Sequence, residues 1–313
     1  MKIHEGYENL NLKHPFVTVG VFDGIHLGHR ALLDHLVSRA KKDGGESVVI
    51  TFNPHPRLVL SGKTEGFFFL STLDEKKKLL AESGIDHLII LNFTRELGNM
   101  EADDFIKEIL VDKIGVKHLI VGYDNHFGKG KGGDFKNICE CAELSNFEVE
   151  QVDGVYTPEG IISSTSIRDV LLNGRIEDAN RMLGYNYTIS GKVVEGHKIG
   201  RSLGFPTANI EPADIFKLIP HDGVYAVEVI LDNRSFHGML SIGFNPTVNK
   251  DRGKRSIEVH IFDFDMDLYG HTITAIFRFR LRDERRYENT EQLSEQMKID
   301  KETAMRLLTE QLH

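Results

Sequence analysis

Between Val17 and Val152, short apolar runs (VTVGVF, SVVITF, HLIILNF, HLIVG and FEVEQV) alternate with segments in which apolar residues recur at helical spacing, among them Arg30 to Ala40 and Ala102 to Ile114. That rhythm predicts parallel strands joined by crossover helices, an α/β sheet of Rossmann-like type. Ser163, Ser164 and Thr165 offer N-cap oxygens to a helix running through Leu171 and Leu172, and a second short helix ends at Leu183 with Gly184 as its C-cap. Beyond Gly184 the helical pattern gives way to strands: TISGKVV, GVYAVEVIL, GMLSIG, SIEVHIFDFD and TITAIFRFRLR. In the last of these, Ile273, Ala275, Phe277, Phe279 and Leu281 alternate with Thr272, Thr274, Arg278, Arg280 and Arg282, so the first set is expected on a core face and the second on a polar face. An antiparallel sheet or small closed barrel fits this half. Leu293, Met297, Ala304, Leu307 and Leu308 then predict one or two closing helices. The expected division is a domain at 1–184 and another at 185–313.

Composition narrows the function classes. The chain has 313 residues, 40% of them hydrophobic and 27% charged, with a net charge of -9. That length accommodates two cores, and the negative balance argues against nucleic acid or an anionic membrane as partner. The two cysteines, Cys139 and Cys141, are too close for an ordinary disulfide and too few for a zinc site, so reduced packing residues in a cytoplasmic protein are expected. Charges interrupt the N-terminal MKIHEGYENLNLKHP, and no later stretch reaches the ~20 apolar residues of a membrane span. The sequence leaves homo-oligomerisation open.

The candidate chemistry starts at GVFDGIHLGH, Gly20 to His29, where a strand breaks into glycines and two histidines before a helix. In parallel α/β sheets ligands bind at the carboxyl ends of strands. Gly20, Gly24 and Gly28 allow backbone to approach a phosphate, and the helix N-terminus favours negative charge. His26 and His29 can donate hydrogen bonds to phosphate oxygens. The set suits nucleotidyl transfer, in which a phosphate that is already ionised attacks a nucleoside triphosphate and no general base is needed. A lone loop histidine is usually a polar surface residue, and a metal pair would lack a cysteine or carboxylate cluster to complete it. A second piece is ISSTSIR, in which the hydroxyls of Ser163, Ser164 and Thr165 and the guanidinium of Arg168 form a clamp for departing pyrophosphate, or a plain helix cap. TFNPHP and VGYDNHFGKGKGG also follow predicted strands, at the same sheet edge.

In this order these four motifs resemble the N-terminal half of the prokaryotic bifunctional riboflavin kinase/FMN adenylyltransferases, the FAD synthetases. The resemblance implies a Rossmann-like nucleotidyltransferase domain with ATP contacts from Gly20, Phe22, Asp23, Gly24, His26, His29, Ser164, Thr165 and Arg168. It implies FMN contacts from Asn53, Pro54, His55, Asp124 and Phe127. The chain departs from the pattern at Asn125 and His126, where many members carry Phe-Arg, which bears on flavin and loop contacts more than on the reaction.

In the strand-rich half, GKVVEGHKIGRSLGFPTANI places Thr207 and Asn209 one residue apart, oxygen donors suited to magnesium, with Pro206 stiffening the approach. Read alone, PTAN is equally a turn. The long motif resembles a riboflavin kinase domain, a small β-barrel, which implies ATP contacts from Gly196, Gly200, Arg201, Gly204, Pro206, Thr207 and Asn209 and Mg2+ on Thr207 and Asn209. A kinase acting on a primary alcohol benefits from a carboxylate base. In SIEVHIFDFD, Ile257, Val259 and Ile261 share one face while Glu258 and His260 share the other; the family pattern matches Glu258 to the catalytic base, against an exposed strand glutamate. In LRDERRY, Arg282 and Glu284 are candidates for flavin contacts. The expectation is a cytoplasmic enzyme that phosphorylates riboflavin to FMN and adenylylates FMN to FAD, with magnesium-bound ATP as co-substrate. Two rivals stand beside it: an adenylyltransferase for another phosphorylated acceptor, and a flavin-binding protein without catalysis.

Overall fold

The computed structural model describes residues 1–60, 66–123, 128, 133–158, 160–195, 204–244 and 255–310. The chain divides into two compact units, Met1–Ser164 and Thr165–His313. The division falls after the first residue of the short helix Ser164–Leu172 (α7) and before Ile176–Leu183 (α8), whereas the sequence reading places the domain boundary after both helices.

The first unit is built on six parallel strands: β1 (Lys2–Glu5), β2 (Pro15–Val19), β3 (Glu46–Asn53), β4 (His87–Asn92), β5 (His118–Gly122) and β6 (Glu148–Val152), in the spatial order β1-β4-β3-β2-β5-β6. Continuous apolar runs feed both faces, as expected of a covered parallel sheet. Val49, Leu88 and Ile90 pack with Leu33 and Leu36 of helix α1 (Leu27–Lys42), while their neighbours Val48, Ile50 and Ile89 pack with Ile106, Ile109 and Leu110 on the opposite side. Those last three lie on a π-helix, Phe105–Ile114, where a plain α-helix was expected. β1 is a further strand that the sequence reading did not assign. From β2 the chain moves outward through β3 and β4 and then returns to place β5 on the other side of β2, so the loop leaving β2 opens at the topological switch point.

The second unit is a closed barrel in the order β10-β13-β12-β11-β14-β9, formed by β9 (Thr188–Val194), β10 (Ala208–Pro212), β11 (Gly223–Leu231), β12 (Arg234–Phe244), β13 (Arg255–Ile261) and β14 (Thr272–Arg282). The two-residue strands β7 (Tyr156–Thr157) and β8 (Gly160–Ile161) precede it as a small hairpin in the first unit. A single closing helix, α9 (Thr290–Glu310), places Ala304 and Leu308 against Ala226, Met239 and Phe262 on the outside of the barrel.

The expected simple alternation in β14 fails, for a reason visible in its pairing with β11. The register slips between Ala226 and Val227, and again between Val224 and Tyr225. Each slip reverses the faces of the residues beyond it. Ile273, Ala275 and Phe277 point into the core, but Phe279, opposite Ala226, and Leu281 pack outside, against the cluster beneath α9. α8 ends as read from the sequence, with Gly184 at φ 75 and its N–H on the Asn180 carbonyl.

Candidate active sites

In the first unit the site is the β2–α1 loop. Phe22, Gly24 and Ile25 all have positive φ (51, 85 and 40). Only glycine adopts that region freely, and the two others are held there by burial of their side chains in the core beneath α1. Polar contacts complete the hold. The buried carboxylate of Asp23 accepts the backbone N–H of Leu70 at 2.9 Å and of Ser71 at 3.0 Å, while Gly24 N–H donates to Ser71 Oγ. Ser164 Oγ donates to the Asp23 carbonyl at 2.8 Å. Asp23 thus fixes the loop's shape through its carboxylate.

The two histidines come together where the motif predicts. His26 is the N-cap of α1, its Nδ1 accepting the His29 backbone N–H at 3.3 Å, which leaves its proton on Nε2 in the neutral ring. The rings stack with centroids 3.7 Å apart, and His29 leans on Phe22 at 5.2 Å. A Cβ on Gly28 would lie 3.2 Å from the His26 ring, so glycine gives the stack its room. Burial, then His26, then Lys76 push the His29 pKa well below the ordinary imidazole value, so His29 is neutral near pH 7. Its Nδ1 is buried and has no hydrogen-bond partner among the described residues. No acidic residue occupies the first turn of α1, which leaves the helix N-terminus suited to an anion.

Lys76 belongs to this site and was not read from the sequence. It is only 6% exposed, on helix α3 (Leu73–Glu82), and its Nζ donates to the Val21 carbonyl at 2.6 Å. Burial lowers its pKa from 10.5 to about 8, opposed by Asp23. The run EKKKLL looks like a solvated face; Lys76 and Lys77 both fall at helical spacing from Leu73 and Leu80, and of the three lysines only Lys76 is buried. At the end of β3, Asn53 accepts the Phe93 N–H through its carbonyl, and the His55 ring lies 4.8 Å from Phe67. Thr165 and Arg168 follow Ser164 along α7. Asp124, Asn125, His126 and Phe127 lie outside the described residues.

In the barrel, Glu258 on β13 stands opposite Asn209 of β10 on one side and Ser241 of β12 on the other. Thr207 Oγ1 donates to Glu258 Oε2 at 3.2 Å. Thr207, Asn209 and Glu258 are therefore neighbours, and their hydroxyl, amide and carboxylate oxygens are the hard donors a magnesium ion takes. Among the described residues no group of three or more His, Cys, Asp or Glu could hold a metal ion. Glu284 approaches from beyond β14. A Cβ on Gly243 would collide with its Oε2, and burial, with the charge of Asp222 second, raises its pKa. His260 shares a face with Glu258 but is buried, its ring between Phe205 and Phe262. Gly196, Gly200 and Arg201 lie outside the described residues; Gly204 is a turn residue at φ 82.

Two family models match the chain in this order, FAD synthetase over residues 9–166 and Riboflavin kinase over residues 183–308. The bifunctional riboflavin kinase/FMN adenylyltransferase of Pseudomonas fluorescens is 36% identical over 100% of both chains, and that of Escherichia coli K12 is 37% identical over 97% of each. The chain belongs to the bifunctional riboflavin kinase/FMN adenylyltransferase family. A solved structure titled a macrolide-efflux protein from Streptococcus pneumoniae matches with a TM-score of 0.87 and 31% identity over 97% of this chain and 98% of its own. Among the described residues no helix is long and apolar enough to cross a membrane.

Arg282, a flavin-contact candidate in the sequence reading, is paired within the chain. Its Nε lies 3.0 Å from both Asp300 oxygens and its Nη2 2.7 Å from one of them, a forked pair with a buried carboxylate on α9. The second register slip in β14 turns it toward that helix.

Proposed function

We propose that the N-terminal unit of this bifunctional enzyme transfers the adenylyl group of ATP to FMN at the β2–α1 loop, and that the barrel phosphorylates riboflavin around Glu258. One observation carries the reading: a single chain holds both a stacked His26–His29 pair at a helix start and a Thr207–Glu258 pair on a barrel. The two reactions run in sequence. The barrel's product, FMN, is the other unit's substrate.

In the adenylyl transfer the FMN phosphate is already ionised, so the residues' task is to stabilise charge on the transferred phosphoryl group. His26 offers its Nε2 proton, His29 a neutral ring, and the start of α1 its N–H groups. Lys76 supplies a buried cation beside His29. Asp23 acts on ATP through the shape of the loop. Thr165 and Arg168, from the ISSTSIR motif, take the role of pyrophosphate clamp. Asn53, Pro54 and His55 form the flavin side.

In the phosphorylation Glu258 accepts the proton of the primary hydroxyl of riboflavin. Thr207 and Asn209 would hold magnesium, which would draw charge from the ATP phosphates. Glu284 stands on the flavin side, while Arg282 anchors β14 to α9. A cytoplasmic location is part of this reading, since both proposed reactions draw on ATP. The test is a product assay in which the purified chain receives magnesium-ATP with riboflavin, FMN or unrelated phosphorylated acceptors. FMN and FAD formed from the flavins alone support the reading, and turnover of another acceptor with none of FMN overturns the adenylyl-transfer assignment.

A further inference from the structure

The barrel's phosphoryl-transfer corner is held at three successive residues. Phe205 sits in the apolar cluster formed by Ala226, Met239, Phe262, Ala304 and Leu308. The Pro206 carbonyl lies 2.8 Å from His260 Nδ1. Thr207 Oγ1 donates to Glu258. The last two contacts come from side chains two positions apart on β13, hence from the same face of one rigid strand. Rotation of the corner about either contact alone is prevented by the other.

We propose that His260 is a positioning residue of the kinase reaction, whose Nδ1–H fixes the Pro206 carbonyl so that Thr207 meets Glu258. This inference rests on the kinase reading of the barrel.

The chemistry of the contact determines the tautomer. A carbonyl oxygen only accepts, so the proton must be on Nδ1. The ring is 6% exposed and enclosed edge-on by Phe205 at 5.3 Å and Phe262 at 5.6 Å. Burial is the main cause that lowers its pKa, with Lys301 adding to it, while the Pro206 carbonyl and Asp263 oppose. A neutral ring with one directed donor is therefore the resident form across the neutral range. His260 is two residues from Glu258, and its donor is already engaged by the backbone. It neither accepts the substrate proton nor binds phosphate. Its effect passes through the corner, and it should fall on the magnesium-ATP side of the reaction.

Two substitutions separate a directed donor from a space-filling ring. His260→Leu removes the donor and leaves the Pro206 carbonyl unsatisfied, whereas His260→Asn keeps an N–H donor at nearly the Nδ1 position. The full-length variants would be assayed for riboflavin phosphorylation at varied magnesium-ATP and varied riboflavin, with adenylylation of supplied FMN measured on the same samples. Loss of one buried hydrogen bond with an orphaned acceptor corresponds to roughly ten- to a hundredfold. The expected result is a fall of that size in kcat/KM for magnesium-ATP in His260→Leu, an unchanged KM for riboflavin, intact FMN adenylylation, and recovery to within about threefold of wild type in His260→Asn. Equal impairment of the two variants, or a His260→Leu enzyme within about twofold of wild type, overturns the proposal. Should His260→Leu fail to fold, His260→Asn still decides: near-wild-type kinetics support the directed donor and a large loss contradicts it. Failure of the wild-type chain to phosphorylate riboflavin at all would instead overturn the kinase reading beneath it.

Discussion

Replacing Lys76 by Met should make the N-terminal unit more stable while weakening adenylyl transfer. The ammonium is 6% exposed and its pKa falls from 10.5 to about 8, which corresponds to about 3 kcal/mol of unfavourable charge burial at pH 7. Methionine is close in length and shape and removes the charge. The substitution also removes the hydrogen bond to the Val21 carbonyl, worth about 1 kcal/mol, but that oxygen keeps the Thr51 hydroxyl at 3.1 Å. The net gain is about 1–2 kcal/mol. The sign of its pH dependence is set by the depressed pKa. Between about 8 and 10.5 the unfolded chain binds more protons at this residue than the folded one, so wild-type stability rises with pH across that window and the variant's advantage disappears. Urea unfolding at pH 7 and pH 10, monitored by the methyl signals of Leu33, Val49 and Ile90, reads this unit alone. FMN adenylylation at pH 7 should fall at least about tenfold as the cation beside His29 is lost. A variant less stable than wild type at pH 7, or a gain that persists unchanged at pH 10, would refute the reasoning.

Three further predictions concern the barrel. Glu258→Gln should lower riboflavin phosphorylation by roughly two to four orders of magnitude with FMN adenylylation intact, and unchanged kinase turnover would exclude Glu258 as base. Gly243→Ala drives a methyl group into Glu284 Oε2, so it should displace that carboxylate and raise the KM for riboflavin; unaltered kinase kinetics would remove Glu284 from the site. A fragment from Thr165 should melt about 10 °C or more above one from Tyr185, because the shorter piece lacks α8, with its buried Ile176, Ala179 and Leu183 and the Asn180 bonds to Tyr187 N and Phe277 O. Equal melting temperatures would favour a boundary near Gly184.

The sequence was most informative where local chemistry and tertiary structure agree. Continuous apolar runs such as SVVITF read as covered parallel strands because both faces of β3 do bury them. H-x-G-H marks the stacked imidazoles because strand, glycine and helix start all lie within ten residues. The features that stayed hidden depend on partners distant in sequence. KIHE carries no apolar run, and β1 forms by pairing with β4, where His4 Nε2 meets His87 Nδ1 at 2.9 Å. The slips in β14 are set by β11, so no period inside TITAIFRFRLR announces that Phe279 and Leu281 face outward. Arg282 reads as a ligand-contact candidate because Asp300, which takes its guanidinium, lies on a helix eighteen residues later. Lys76 was masked by two neighbouring lysines, one of which, Lys77, has the same helical spacing with Leu73 and Leu80.

The central claim is that one chain performs two consecutive reactions at separate sites. Its most direct test is a time course of riboflavin with magnesium-ATP on three full-length proteins: wild type, His29→Ala and Glu258→Gln. Wild type should form FMN first and then FAD. His29→Ala should accumulate FMN without FAD, while Glu258→Gln should leave riboflavin unreacted yet convert supplied FMN to FAD. Loss of FMN formation in folded His29→Ala, failure of folded Glu258→Gln to convert supplied FMN to FAD, or FAD formation by His29→Ala at the wild-type rate, would contradict the account.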